Sequence, residues 1–237
     1  MAGALLAAST VLVPYLSNPF GAPIQLGVWT YAFVIFWIVG LINVINFLDG
    51  LDGLAGGISL IATTVLYLLA IKPEIAQSSM SVLAIILIGA LAGFLPFNFS
   101  PAKIFLGDSG SQVLGFLLAV FAIISGAKLA TAFLVLGVPI LDVAWVIARR
   151  ILEHKPVYQA DRYHLHHRLL RAGLSQKQAV LLLYTVSAAF GIVALQTHTY
   201  GKFIAVLVLV AIVVVGGGVV VAVGNGQERR TAPRKEL

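Results

Sequence analysis

The chain has 237 residues, of which 60% are hydrophobic and only 10% charged, with a mean hydropathy of +1.02. Soluble domains run nearer half apolar and a quarter charged, so the composition excludes a soluble globular protein and points to an integral membrane one. The lack of cysteine excludes a disulfide framework and a thiolate zinc site, and the net charge of +6, which in a soluble protein would suggest nucleic acid, finds its explanation in the loops.

A bilayer core needs roughly 20 apolar residues per helix. Eight segments are expected as helices, near residues 2–16, 28–47, 56–71, 80–97, 111–126, 129–148, 178–196 and 202–223. The first has no basic residues before it and no small-residue cleavage site after it, so it does not read as a cleaved signal peptide. It opens at Met1 without flanking charges, as a chain begun inside a larger protein would. Residues 17–27 are turn material rich in Pro and Gly.

The second segment ends in Asn43-Val-Ile-Asn46-Phe-Leu-Asp49-Gly50-Leu-Asp52-Gly53. Steps of three would set Asn43, Asn46, Asp49 and Asp52 along one inclined face if the helix continued. Their oxygens suit a hard cation or the donors of a sugar or base. The alternative is an acidic helix end turning into a loop. Further on, Asp108 and Ser109 lie between Gly107 and Gly110 at the start of the fifth segment, where free N–H groups and the helix dipole favour anions. Asp108 is there either as a simple cap or as a magnesium ligand beside a phosphate. Asp142 lies inside the sixth segment, where a carboxylate is a functional candidate by default. A pair with Arg149 or Arg150 is its structural alternative, and Pro139 should kink that helix.

The largest loop contains Asp161-Arg-Tyr-His164-Leu-His166-His167-Arg168. Zinc ligation is one reading of such a tract and a solvated basic loop another. The flanking Arg162, Arg168 and Arg171 favour a grip on a diphosphate instead. If the loop after the second segment faces the cytoplasm, then Lys103, Arg149, Arg150, Lys155, Arg162, Arg168, Arg171, Lys177, Arg229, Arg230, Arg234 and Lys235 all face inward. Only Lys72, Lys128 and Lys202 face outward. That asymmetry fixes the orientation, puts all five aspartates on one side, and removes the reason to invoke nucleic acid. The expected organisation is a membrane domain over residues 1–223, a cytoplasmic His loop at 149–177 containing a short helix, and a basic disordered tail at 224–237.

Three blocks, NVINFLDGLDGLAGG, FNFSPAKIFLGDSGSQVLG and DRYHLHHRLL with the following AGLSQKQAVLLLY, resemble the polyprenyl-phosphate N-acetylhexosamine-1-phosphate transferases (glycosyltransferase family 4). The resemblance covers roughly residues 17 to 195, and the HLHHRLL form is similar to the GlcNAc-1-phosphate branch. It implies an all-α, polytopic transmembrane bundle with a cytoplasm-facing cleft, in a bacterial inner membrane. The implied reaction moves a HexNAc 1-phosphate, N-acetylglucosamine 1-phosphate foremost, from a UDP-sugar to undecaprenyl phosphate and releases UMP, with Mg²⁺ or Mn²⁺ as cofactor. By the same resemblance Asp108 would ligate the metal with Asn46 beside it. Asp49 and Asp52 would line the nucleotide pocket or assist catalysis, and Phe105 would stack on uracil with Asn98 near it. His164, His166, His167 and Arg168 would hold the diphosphate or sugar. Members often form homodimers. The family's upstream pair of adjacent aspartates has no counterpart here, since the first aspartate is Asp49. The expectation is therefore a truncated chain with little activity of its own. The competing readings are phospho-N-acetylmuramoyl-pentapeptide transfer, a non-catalytic nucleotide-binding remnant, and an ion-coupled transporter using Asp142 and Asp108.

Overall fold

The computed structural model describes residues 13–124, 129–154, 156 and 164–231. Within them the regular structure is helical apart from one two-stranded ribbon. That ribbon is the first departure from expectation. Of the segment expected as a helix over 2–16, residues 1–12 lie outside the described residues. Tyr15–Leu16 form strand β1, paired antiparallel with β2 at Ile24–Gln25. The cause is local. Pro14 cannot donate within a helix and accepts from the Leu26 N–H at 3.0 Å. Asn18 then closes the turn by accepting from the Phe20 N–H and donating to the Ala22 carbonyl.

Helix α1 spans Trp29–Leu48 and buries Val34, Ile38, Leu41, Ile45 and Leu48, a seam of alternating steps of four and three. The seam packs on α4, Gly107–Ile124. A Cβ at Gly115 would stand 2.6 Å from the Ile42 Cα, so only glycine lets the two backbones touch there. Close approach through small residues is how helices gain contact where no water drives them together. The Trp37 indole N–H closes the same interface on the Ala119 carbonyl at 3.2 Å.

Helix α2, Leu54–Ala70, is buried along most of its length. It lies between α3, Ser78–Asn98, and α8, Gln176–Gln196. The segment expected as one helix over 129–148 is two, α5 at Leu129–Val135 and α6 at Gly137–Leu152, bent by 81°. The ring of Pro139 conflicts with the carbonyl four residues back, at Val135, and the helix breaks there. After the His loop comes the short helix α7, Leu165–Arg171. A capping box made by Ser175 and Gln178 then starts α8. The last helix, α9, runs Thr199–Thr231 and so stays helical past Gly224, where a disordered tail was expected.

Helices α1, α3, α4, α8 and the Thr199–Gly216 part of α9 are long and apolar enough to cross a membrane, and the bent α5–α6 pair makes a sixth span if counted as one. The protein is an all-α, multi-pass membrane protein.

Candidate active site

Helix α1 stops at Leu48 because Gly50 and Gly53 follow and the chain must turn. Gly53, at φ +80°, begins α2 in a conformation that side chains resist. Asp49 and Asp52 therefore sit in a turn, not on a continuing helix, and the expected face of four polar residues is broken. Asn43 leaves it too: exposed, it donates back to the Val39 carbonyl. Asn46 stays. Its Nδ2 donates to Asp108 Oδ1 at 3.3 Å and to Ser111 Oγ at 2.9 Å, joining the end of α1 to the first turn of α4. Ser111 is buried and donates in turn to the Asp108 carbonyl at 3.1 Å.

Asp49 belongs to this group. Burial pushes its carboxyl up from an ordinary 3.8 to about 6, a hydrogen bond from the Gly107 N–H pulls it back, and the charge on Asp108 raises it. Two carboxylates that disfavour each other's charge make a place where a cation is welcome. The donors on hand (the Asp108 carboxylate, the Asn46 amide oxygen, the Ser111 hydroxyl) are the hard oxygens that Mg²⁺ prefers. Among the described residues no three His, Asp or Glu side chains close around one point, so the residues fit an ion shared with a ligand better than a protein cage.

Asp52 accepts from the Ala102 N–H at 3.1 Å, which ties the Asp-Gly turn to the loop between α3 and α4. Asn98 makes the same connection from within. Only 3% exposed, it accepts from the Gly53 N–H at 3.2 Å and donates to the Ile104 carbonyl at 3.0 Å. Its amide holds two loops together, where the sequence suggested a contact with a base. Phe105, expected to stack on that base, is 74% exposed on the neighbouring loop. A residue not anticipated, Tyr184 on α8, donates its hydroxyl to the Gly53 carbonyl. Gly57 makes room for it, since a Cβ there would lie 1.9 Å from the phenol oxygen.

The histidines arrive from the other end of the chain. His166 is buried, with its ring against Gly50: a Cβ at that position would be 2.7 Å from His166 Nε2. Burial, followed by His167, pushes its imidazole down from 6.5 to about 4, with Asp142 working against the shift and His164 adding to it. His166 is therefore neutral at pH 7. His164 stacks with both Phe47 and His166, at centroid distances of 5.7 Å, and His167 tilts onto His166 at 4.3 Å. The rings lie in file and do not converge as zinc ligands would.

Asp142, inside α6, explains why the file stands there. It accepts from the Leu165 N–H at 2.8 Å, meets His164 Nδ1 at 2.9 Å, and pairs with Arg168 Nη2 at 3.4 Å. The partner expected on its own helix is replaced by partners in the His loop. Arg149 faces Glu153, and Arg150 reaches the Pro156 carbonyl. Arg168, expected to grip a diphosphate, turns inward to Asp142. Beyond them lies a cavity of about 590 Å³ lined by Leu141, Ala144, Trp145 and Val213 of α6 and α9, with Arg149 and Arg168. Asp161 and Arg162 lie outside the described residues. The three sequence blocks thus meet on one surface: the α1 turn touches the start of α4 through Asn46 and the His helix through Gly50.

The family model described as glycosyl transferase family 4 matches residues 1–126. A probable undecaprenyl-phosphate N-acetylglucosaminyl 1-phosphate transferase from Bacillus subtilis is 35% identical over 208 residues, 85% of this chain and 56% of that protein. The decaprenyl-phosphate N-acetylglucosaminephosphotransferase of Mycobacterium leprae is 41% identical over 123 residues, 44% of this chain and 30% of the relative. The phospho-N-acetylmuramoyl-pentapeptide-transferase of Staphylococcus aureus is 34% identical over 165 residues, 69% of this chain and 50% of the relative. The chain thus spans about half the length, or less, of the relatives it matches. On the family match and the Bacillus relative together, the chain belongs to glycosyl transferase family 4.

Proposed function

We propose that the protein carrying this chain transfers N-acetylglucosamine 1-phosphate, or a related HexNAc 1-phosphate, from a UDP-sugar to undecaprenyl phosphate. The site would face the cytoplasm at the bacterial plasma membrane. One oxygen of the acceptor phosphate attacks the sugar-linked phosphorus, the bond from that phosphorus to the bridging oxygen breaks, and UMP leaves with the electron pair. The observation that carries the reading is the seating of the His helix on Gly50 beside Asn46 and Asp108. It brings acidic and imidazole groups to one surface, and the family and the names of the Bacillus and Mycobacterium relatives supply the chemistry.

Phosphoryl transfer asks mainly for positioning and charge neutralisation. The family is generally divalent-metal dependent, and Mg²⁺ (or Mn²⁺), when bound, would screen the diphosphate's charge. Asp108 would hold it, with the Asn46 amide oxygen alongside. Asp49, with a carboxyl near 6, is matched to exchange a proton with a phosphate monoester, whose second pKa is also about 6. Asp52 and Asn98 keep the two loops in register. His166, neutral at pH 7, and His167 beside it line the approach for the sugar phosphate, and exposed Phe105 is free to cover the base. The apolar cavity between α6 and α9 gives an isoprenoid a seat, with arginines at its polar end. A second copy of the chain is a further partner implied by the resemblance.

Membranes containing the whole protein should release UMP from UDP-GlcNAc with undecaprenyl phosphate and Mg²⁺. Asp108→Asn should lower that release by about 100-fold or more, the loss expected when one charge on a developing phosphate anion goes unbalanced. Consumption of UDP-MurNAc-pentapeptide in place of UDP-GlcNAc would move the assignment to the activity named for the Staphylococcus relative. No UMP from either donor would overturn it.

A further inference from the structure

Asp142 is 6% exposed, and nothing in the transfer chemistry calls on it. It lies on α6, twenty-two residues before the first histidine it touches, and a buried carboxylate is retained only if its charge is met. Three donors meet it. Arg168 and the Leu165 N–H share Oδ1, and His164 Nδ1 stands at 2.9 Å from Oδ2. Since a carboxylate only accepts, the hydrogen between His164 and Asp142 belongs to Nδ1. Arg168 already meets the charge at Oδ1. With the ring hydrogen on Nδ1, the lone pair of the neutral imidazole sits on Nε2, and among the described residues Nε2 has no partner.

We propose that Asp142 is a positioning residue: it starts the His helix at Leu165 and fixes His164 as the Nδ1–H tautomer. The Nε2 lone pair is then held as an acceptor on the side of the ring away from α6. Phe47 and His166 stack on the imidazole and hinder its turning. The purpose of that acceptor rests on the transferase reading; the tautomer does not, so the two can fail separately.

The test is Asp142→Asn. The amide oxygen still accepts from Leu165 and Arg168, so the helix start survives. The amide N–H₂ now faces His164 Nδ1 and forces the ring hydrogen to Nε2. In wild-type protein labelled with ¹⁵N-histidine, the resonance removed by His164→Asn should show Nδ1 protonated and Nε2 bare. In Asp142→Asn the pattern should invert, with kcat/KM for UMP release reduced at least 100-fold and the melting temperature within a few degrees of wild type. An orienting carboxylate elsewhere loses more than that on the same change, through the wrong tautomer. Wild-type His164 protonated on Nε2 would overturn the proposal, as would lost turnover without inversion, since Asp142 would then be a fold anchor only. If Asp142→Asn does not fold, the wild-type spectrum alone decides. If wild type shows no turnover, the spectra still decide the tautomer while the transferase reading falls.

Discussion

Replacing Gly50 by alanine tests whether the His helix belongs to the site. Gly50 has no left-handed backbone requirement, so alanine costs nothing in conformation. The added methyl carbon meets His166 Nε2 at 2.7 Å, and ordinary contact begins at 3.4 Å, so the ring must retreat by about 0.7 Å. It has nowhere to turn: His164 and His167 pack on it, and the helix start is pinned to Asp142. The helix must move as a body, at a cost of roughly 1–3 kcal/mol for overpacking. Since a displacement of about 1 Å in a positioning group costs up to ~100-fold in rate, UMP release should fall by about 10- to 100-fold. UDP binding, measured by calorimetry, should change much less. Gly93→Ala is the control. Nothing lies within 4 Å of a Cβ at that position in α3, so it should match wild type or gain up to about 1 kcal/mol in stability. Full turnover in Gly50→Ala would show that His166 has no part in the site.

Asn98→Ala leaves the buried Gly53 N–H without its partner and releases the Ile104 carbonyl at the part-buried loop. At about 1–3 kcal/mol for the buried N–H, the melting temperature in detergent should drop, while Phe105→Ala, at an exposed position, should leave it unchanged. Equal melting for the two variants would refute the structural role given to Asn98. The acid side of the stability profile gives the last prediction. Between about pH 4 and 6, folded Asp49 keeps a proton that the unfolded chain gives up, so its contribution makes stability fall as pH rises. His166 excludes a proton that the unfolded chain takes up between about pH 4 and 6.5, so its contribution makes stability rise with pH. Melting curves across that window should therefore rise more steeply with pH in Asp49→Asn than in wild type, and less steeply in His166→Gln. Parallel curves for all three would show that neither group is perturbed.

The convergence of Asn46, Asp49 and Asp108 was legible because charge sidedness puts their loops on one face, although no spacing rule links positions sixty-two residues apart. The histidine tract was legible by composition. What stayed hidden was long-range pairing. Arg149 stands seven residues after Asp142 on one helix and invites an ion pair, yet the carboxylate reaches into a loop that no local pattern connects to it. Asn98 and Arg168 show the same limit from the other side. Both have the chemistry to bind a ligand, and burial turns both to internal use. The kink at Pro139 could be foreseen. Its size could not, because it depends on what α9 and α1 leave open around α6.

That bend has a consequence for traffic. Helices at 81° to each other cannot both run along the membrane normal, so at least one of the two is strongly tilted. If it is α6, with sixteen residues and about 24 Å of length at 1.5 Å per residue, the bundle would open sideways at the level of the acyl chains. A long-tailed acceptor could stay dissolved among its neighbours and slide in head first, and product could leave the same way, with no lipid ever lifted into water.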